Sequence, residues 1–174
     1  ETALPFGQDD VDCWSTMALA EAFVVHEEHM ASQPEALAPD VRSRLELGRN
    51  ISARDYLAAR ERQGVLKKKI AAHMEKFDVL AMPTSPIPAI SAATGSIMIG
   101  DREVEGAPVM GRLTRMAVFT GQPAISVPCG FTQSGLPVGL QLIGRWFDEA
   151  TLLGVADSYE QATPWHDMAP PDID

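Results

Sequence analysis

The sequence predicts an α/β fold, a mixed sheet of about three strands flanked by helices. Two short runs rich in Ile, Val and Leu, residues 124–127 and 138–143, are separated by a polar stretch, Phe131-Thr132-Gln133-Ser134-Gly135, that leads to Pro137. This is the pattern of two buried strands joined by a glycine-containing turn. A third strand is read at 78–82, directly after a long helical stripe. Helix and strand joined within a few residues pack together in α/β units, so the helix of 52–77 is expected to lie on the sheet.

The remaining elements follow in chain order. Residues 11–33 carry Trp14, Ala18, Ala22 and Val25 on one helical face, widened by Leu19 and Phe23, with Asp9 or Asp10 as cap and Pro34 after the end. A shorter helix spans 39–47, with Asp40 in its first turn and Gly48 as terminator. Ser52-Ala53-Arg54-Asp55 has capping-box spacing and opens the longest helix, whose stripe is Tyr56, Ala59, Gln63, Leu66, Ile70 and Phe77. Residues 83–107, rich in Pro, Ser, Thr and Gly, show neither period and read as a long irregular connection stiffened by Pro83, Pro86 and Pro88. Val109, Leu113, Met116 and Ala117 recur at helical spacing over 109–119, ended by Gly121 and Pro123. Asp148 caps a last helix with the stripe Leu152, Val155, Ala156 and Tyr159; Pro164 closes it, Trp165 follows, and 169–174 are expected to be mobile. The chain thus reads as one domain in three parts: helical to 77, a strand, loop and hairpin core over 78–147, then a terminal helix and tail.

At 174 residues and 45% hydrophobic the chain can bury a core of its own. A net charge of −10 excludes sequence-independent nucleic-acid binding, which needs a positive surface. Arg60, Arg62, Lys67, Lys68 and Lys69 read as a solvated helix face, or else as a docking face for an acidic partner. No basic and apolar leader pattern is visible and no run is long enough to cross a bilayer, so no membrane partner is expected. Cys13 and Cys129 lie far apart without metal-ligand spacing and read as free thiols of a reducing compartment, which implies a cytoplasmic location.

Chemistry-bearing patterns are sparse. His26-Glu27-Glu28-His29 sets two histidines three apart, whereas the helical zinc pattern needs four, and position 30 is Met, so neither metal nor cofactor is expected. No serine has the G-x-S-x-G frame, Ser126 reads as a satisfied hydroxyl in the core, and nothing local marks Cys129 as a nucleophile beside His73 or His166. No catalytic residue is assigned.

The ordered series TGQPAISVPCGFTQSGLPVGLQLIGRWFDEATLL, followed by YEQATPWH and preceded by DVLAMPT at 78–84, resembles the closing segment of the amidase signature family. The resemblance implies the C-terminal part of that fold. It implies a hydrolase that opens a C–N amide bond through an acyl-enzyme, using a serine, a cis-serine and a lysine. No stretch of this chain resembles the Gly/Ser-rich segment or the lysine segment that carry those groups, so the chain alone is expected to be inactive. A small-molecule amide is the implied substrate, and an apolar edge cut from a larger sheet leaves room for a homodimer. The implied contribution to the substrate pocket is the turn around Gly111, Thr114 and Arg115. Two departures stand out: Met116-Ala117-Val118 before Thr120-Gly121, and Gly111 where the glutamine-using amidotransferase subunits resemble one another in an Asp. The second favours a stand-alone amidase over an amidotransferase subunit; the remaining alternative is a non-catalytic partner-binding module.

Overall fold

The computed structural model describes residues 2–168, so the tail expected to be mobile lies outside the described residues. The chain divides into two compact units, 1–70 and 71–174.

The first unit is helical: α1 (Gln8–Ser32), α2 (Pro39–Gly48) and most of α3 (Ala53–Met74). α1 begins earlier than the sequence suggests. Gly7 is its N-cap, and Asp10 sits at the third helical position, where its carboxylate accepts the Gly7 amide at 2.9 Å. The buried stripe of α1 runs through Val11, Met17, Phe23 and Met30, while Val25, expected on that stripe, is 72% exposed. The orientation of α1 is set by α2: Phe23 and Met30 cluster with Leu45, and the Arg49 guanidinium lies over the Phe23 ring, 5.0 Å from its centre. α2 approaches closely because Gly48 has no side chain; a Cβ there would lie 2.1 Å from the Leu19 carbonyl oxygen and 2.7 Å from Phe23 Cβ. At the start of α3 the Asp55 amide donates to Ser52 Oγ at 3.1 Å, the cap that the spacing predicts. Ala59, Leu66 and Ile70 of the expected stripe are buried, and Met74 joins them.

A carboxylate holds the two long helices. Asp10 is buried, and Arg62 of α3 donates Nε to its Oδ1 at 2.7 Å. Burial pushes the Asp10 carboxyl up. The bonds from Arg62 and the Gly7 amide, with the charges of Arg62 and Lys69, outweigh it and hold the group below its ordinary value.

In the second unit, β1 (Val79–Pro83), β4 (Ala124–Phe131) and β5 (Pro137–Gly144) form the three-stranded sheet, in the order β1-β5-β4 and antiparallel at both ladders. The helix seated on it is α6 (Glu149–Gln161): Leu152 and Ala156 pack with Val127 and Leu142, flanked by Val79, Ile125, Leu140 and Tyr159. Trp165 anchors the end of the described chain, edge-on to Phe131 with ring centres 6.2 Å apart.

Two readings are corrected. The connection of 83–107 is not irregular throughout, since β2 (Ser96–Ile99) and β3 (Arg102–Glu105) form an antiparallel hairpin in which Ile99 faces Arg102. The two residues between them are Gly100, at φ +60°, and Asp101, a tight hairpin turn that admits glycine in its first position. The single helix read at 109–119 is two, α4 (Gly106–Met110) and α5 (Arg115–Thr120), because the chain turns at Gly111 and re-enters helix only after Thr114. Gly121, at φ +75°, closes α5 as the terminating glycine expected there.

Gly48→Ala is expected to cost roughly 1–3 kcal/mol, because a backbone carbonyl cannot rotate away from the added methyl. Gly64→Ala, on α3 with open space around its Cα, is expected to gain roughly 0.5–1 kcal/mol through helix propensity. Urea unfolding of the pair checks both signs. A second expectation concerns acid. A carboxyl whose folded-state value is depressed stabilises the protein above the ordinary carboxylate range and loses that contribution as pH falls through its own lowered value. Asp10→Asn should therefore lower the urea midpoint at pH 7, and the gap to wild type should close on acidification.

Candidate functional site

The sheet has one face under α6 and an opposite face whose register sets the site. Met82, Gln141 and Ser126 stand in one row across β1, β5 and β4, and residues two apart share a face. The strand direction of β1 continues to Thr84, whose amide donates to the Gly139 carbonyl at 2.9 Å. Thr84 Oγ1 and Ser126 Oγ are 2.6 Å apart, a hydroxyl pair directly above Gly139. A Cβ on Gly139 would lie 2.7 Å from Ser126 Oγ and 2.8 Å from Thr84 Oγ1, so glycine makes room for the pair. Ser126 is therefore not a core hydroxyl: it is exposed, because the pleat turns it away from α6, and its partner is the Thr84 hydroxyl.

Two hollows share this pair. One, of about 420 Å³, is lined by Ile87, Pro88, Met110, Pro128 and Val138 around Thr84 and Ser126. The other, of about 460 Å³, runs between the sheet and α5, with Thr114, Val118, Gln122 and Gln141 on its walls. Among the described residues no charged side chain lines either one. The arrangement can hold a neutral group by hydroxyl and amide hydrogen bonds against an apolar wall. Among the described residues no base lines it to activate Ser126, which a serine nucleophile requires.

A buried polar frame supports these walls. Thr120 Oγ1 donates to Met116 O at 2.8 Å and lies 3.1 Å from Gln122 Oε1; Gln122 Nε2 donates to Gly144 O at 3.0 Å. Trp146 Nε1 donates to Thr120 O at 3.0 Å, and Gln141 Nε2 donates to Leu113 O at 3.3 Å. The turn of 111–114 is thereby tied to β5, and the end of α5 to the close of β5 and the residues just after it.

The three residues read from the sequence occupy that turn. Thr114 lines the second hollow, and its hydroxyl donates to the Gly111 carbonyl at 3.0 Å. Gly111 forms the turn itself, and Arg115 Nη2 donates to Pro108 O at 3.1 Å. Neither Gly111 nor Arg115 lines the hollows, whereas Thr84, Ser126, Gly139 and Gln141 do, and no motif in the sequence singles these four out. Their signal lies in the alternation of 124–127 and 138–143, which puts Ser126, Gly139 and Gln141 on one face.

The thiols are separate. Cys129, expected to be buried, is half-buried where the ladder shifts register between Pro128 and Gly130, and its Sγ donates to Val138 O at 3.5 Å. Burial pushes the Cys13 thiol up, so it is a poor nucleophile at neutral pH. Among the described residues no three His, Cys, Asp or Glu side chains gather as metal ligands, and no helix is long and apolar enough to cross a membrane.

Comparison with known proteins gives a consistent picture. The family model described as Amidase matches residues 8–153. An amidase of Pseudomonas putida is 36% identical over 172 residues, 98% of this chain and 36% of that protein. A glutamyl-tRNA(Gln) amidotransferase subunit of Thermodesulfovibrio yellowstonii is 37% identical over 153 residues, 83% of this chain and 30% of that protein. The chain thus spans about a third of the length of these relatives. Among solved structures, an amidase crystal structure superposes with a TM-score of 0.83 at 23% identity, over 89% of this chain and 36% of that one. The 6-aminohexanoate cyclic dimer hydrolase does so at 0.78 and 22%, over 98% of this chain and 38% of that one.

Adding a methyl at Gly139 must rotate both hydroxyls and break their bond. Gly139→Ala is expected to cost about 0.5–1.5 kcal/mol, the net worth of one such bond. The cost should shrink but not vanish in a Thr84→Ala, Ser126→Ala background, since the Cβ of residue 84, 3.2 Å from the added methyl, remains; chemical denaturation can close the cycle.

Proposed function

The chain belongs to the amidase signature family, and from that premise we propose that residues 1–174 are the C-terminal part of a hydrolase that cleaves the C–N bond of an uncharged small-molecule amide. The observation that carries the reading is the paired hollow on the open sheet face: hydroxyl and amide donors and acceptors at its centre, apolar walls, and no ionised lining group. Burying a charge in such a site without a partner is costly, whereas a neutral acyl group loses little on entry. Thr114 forms one wall, and Gly111 with Arg115 holds the turn that carries it.

By family resemblance a serine adds to the amide carbonyl, the amine leaves with a proton relayed by the cis-serine and lysine, and water then opens the ester to acid and free serine. These groups are not assigned to any residue here, and without them the chain is inactive by itself. Its role is to shape and orient the acyl side, which contributes to rate by holding the carbonyl in place. Two free, separated cysteines fit a reducing, cytoplasmic setting.

A second reading, a glutamine-using amidotransferase subunit, is favoured by the 37% identity to such subunits. Glycine at position 111 and the lack of a charged lining group speak against it, since glutamine brings an ammonium and a carboxylate into the site.

The test compares this chain with the native polypeptide isolated from its source cells, on neutral aliphatic and aromatic amides, on charged amides and on glutamine. The expected result is turnover by the native polypeptide only, with kcat/KM at least about tenfold higher for neutral amides, the scale of a modest pocket discrimination. Preference for glutamine would establish the second reading, and turnover by the chain alone would overturn the division of labour.

A further inference from the structure

The hydroxyl pair and Gln141 leave one donor and one acceptor unmatched in the hollow between the sheet and α5. Thr84 and Ser126 carry two hydroxyl protons, and their 2.6 Å bond uses one of them whichever oxygen donates. Neither hydroxyl makes another hydrogen bond among the described residues, so one O–H is left over. Gln141 lines the same hollow and is only 3% exposed. Its Nε2 donates to Leu113 O at 3.3 Å, while its Oε1 accepts no hydrogen bond among the described residues. A sunken amide oxygen without a donor is costly, so whatever enters the hollow, water or ligand, is its remaining partner.

Register sets these two valences side by side. Ser126 and Gln141 are partners across β4 and β5, which places their Cβ atoms about 5 Å apart on one face. Gly139, two residues before Gln141 on that face, leaves room for the Thr84 hydroxyl above it. A ligand that satisfies both valences presents an acceptor and a donor along a single edge. It does so without a charge, since no charged side chain lines the hollow among the described residues. Among acyl groups this requirement is selective. An ester offers acceptors only, and a carboxylate offers acceptors and a charge. An ordinary N-alkyl amide is trans, with its N–H on the side away from its oxygen. A primary carboxamide, or a lactam whose ring holds the amide cis, carries both on one edge.

We infer that Thr84, Ser126 and Gln141 are specificity-determining residues that read the edge of a carboxamide whose N–H lies beside its oxygen. The ligand class is primary amides and lactams. The amide oxygen accepts from the hydroxyl pair, and the N–H donates to Gln141 Oε1. The inference rests on the hydrolase reading for treating the bound amide as a substrate, whereas the recognition itself needs no turnover. It also gives the hollow a direction. A product carboxylate brings no N–H and sets its own oxygen against that of Gln141, so it is held more weakly than the amide it came from.

Titration of the purified, isotope-labelled chain, followed by two-dimensional NMR, tests this with butyramide, δ-valerolactam, N-methylbutyramide, methyl butyrate and butyrate as probes. Butyramide and δ-valerolactam are expected to bind in the range of roughly 1–10 mM, as suits ligands this small, with shifts centred on Ser126, Gly139 and Gln141. N-methylbutyramide and methyl butyrate should bind about fivefold weaker or more, because each leaves the Gln141 oxygen unpaired, and butyrate weaker still. In Gln141→Met, shown to be folded by far-UV circular dichroism, the preference for butyramide over methyl butyrate should fall at least about threefold. In a Thr84→Val, Ser126→Ala variant both affinities should drop together and keep their ratio. The ligand series on the wild type decides even where a variant fails to fold. Equal affinity for butyramide and methyl butyrate, a preference unchanged by Gln141→Met, shifts centred elsewhere, or no saturable binding would each overturn the inference. Ligands sorted as expected, with no amide hydrolysis by the native polypeptide, would remove the hydrolase reading alone. Hydrolysis without such sorting would remove this inference alone.

Discussion

The second unit depends on one strand with both of its edges hydrogen-bonded. β5 pairs with β1 through Val79–Gly144 to Pro83–Leu140, and with β4 through Ala124–Ile143 to Phe131–Pro137. Its register therefore fixes two ladders at once. Leu140 and Leu142 face α6, while Gly139 and Gln141 face the open side. A slip of one residue would exchange these sets, burying an amide under α6 and exposing leucine in the hollow. The hydrophobic term on the α6 side, about 1.5–3 kcal/mol for each fully buried aliphatic side chain, far exceeds the worth of the hydroxyl pair. The core thus dictates the geometry of the site, and the site adds little to the stability of the core.

That ordering explains what can be read in the sequence. The strands of the hairpin, the helix ends at Gly48 and Gly121, the stripe Ala59–Leu66–Ile70 and the stripe Leu152–Ala156 all answer to period and punctuation, which are local properties. Val25 falls on the wrong stripe because Ala18, Ala22 and Val25 fit one helical face as well as the observed stripe does. The choice is made by α2, through the close approach of Gly48 to Leu19, and nothing within α1 records it. The hairpin at 96–105 is hidden for a different reason: Gly100-Asp101 is a hairpin turn pair, but its strands are only four residues each and lie in a stretch whose Pro, Ser, Thr and Gly content reads as loop.

The site is legible only in outline. Its identity rests on a pair of hydroxyls, Thr84 and Ser126, 42 positions apart in the chain. Ser126 between Ile125 and Val127 looks like a core residue when only its neighbours are counted, yet alternation places it opposite both. The turn at Gly111 and Thr114 is reached by likeness alone, and the frame that holds it, from Gln141 to the Leu113 carbonyl, is a contact across 28 positions. Buried side-chain networks of this kind carry no sequence period, because each member is recruited by its partner's position in space.

Selectivity in the hollow follows from range. The chain carries a net charge of −10, which invites the idea that bulk repulsion of anions chooses the substrate. At physiological salt the screening length is about 8 Å, so charges on distant helix faces are largely invisible inside the hollow. What remains is the lining, and the lining is neutral. On the proposed reaction this has a directional consequence. An amide enters uncharged and the acid formed from it ionises at neutral pH, so the same apolar wall that accepts the substrate disfavours the carboxylate. Binding and release are then governed by one property of the lining, which offers no group able to pair with a charge.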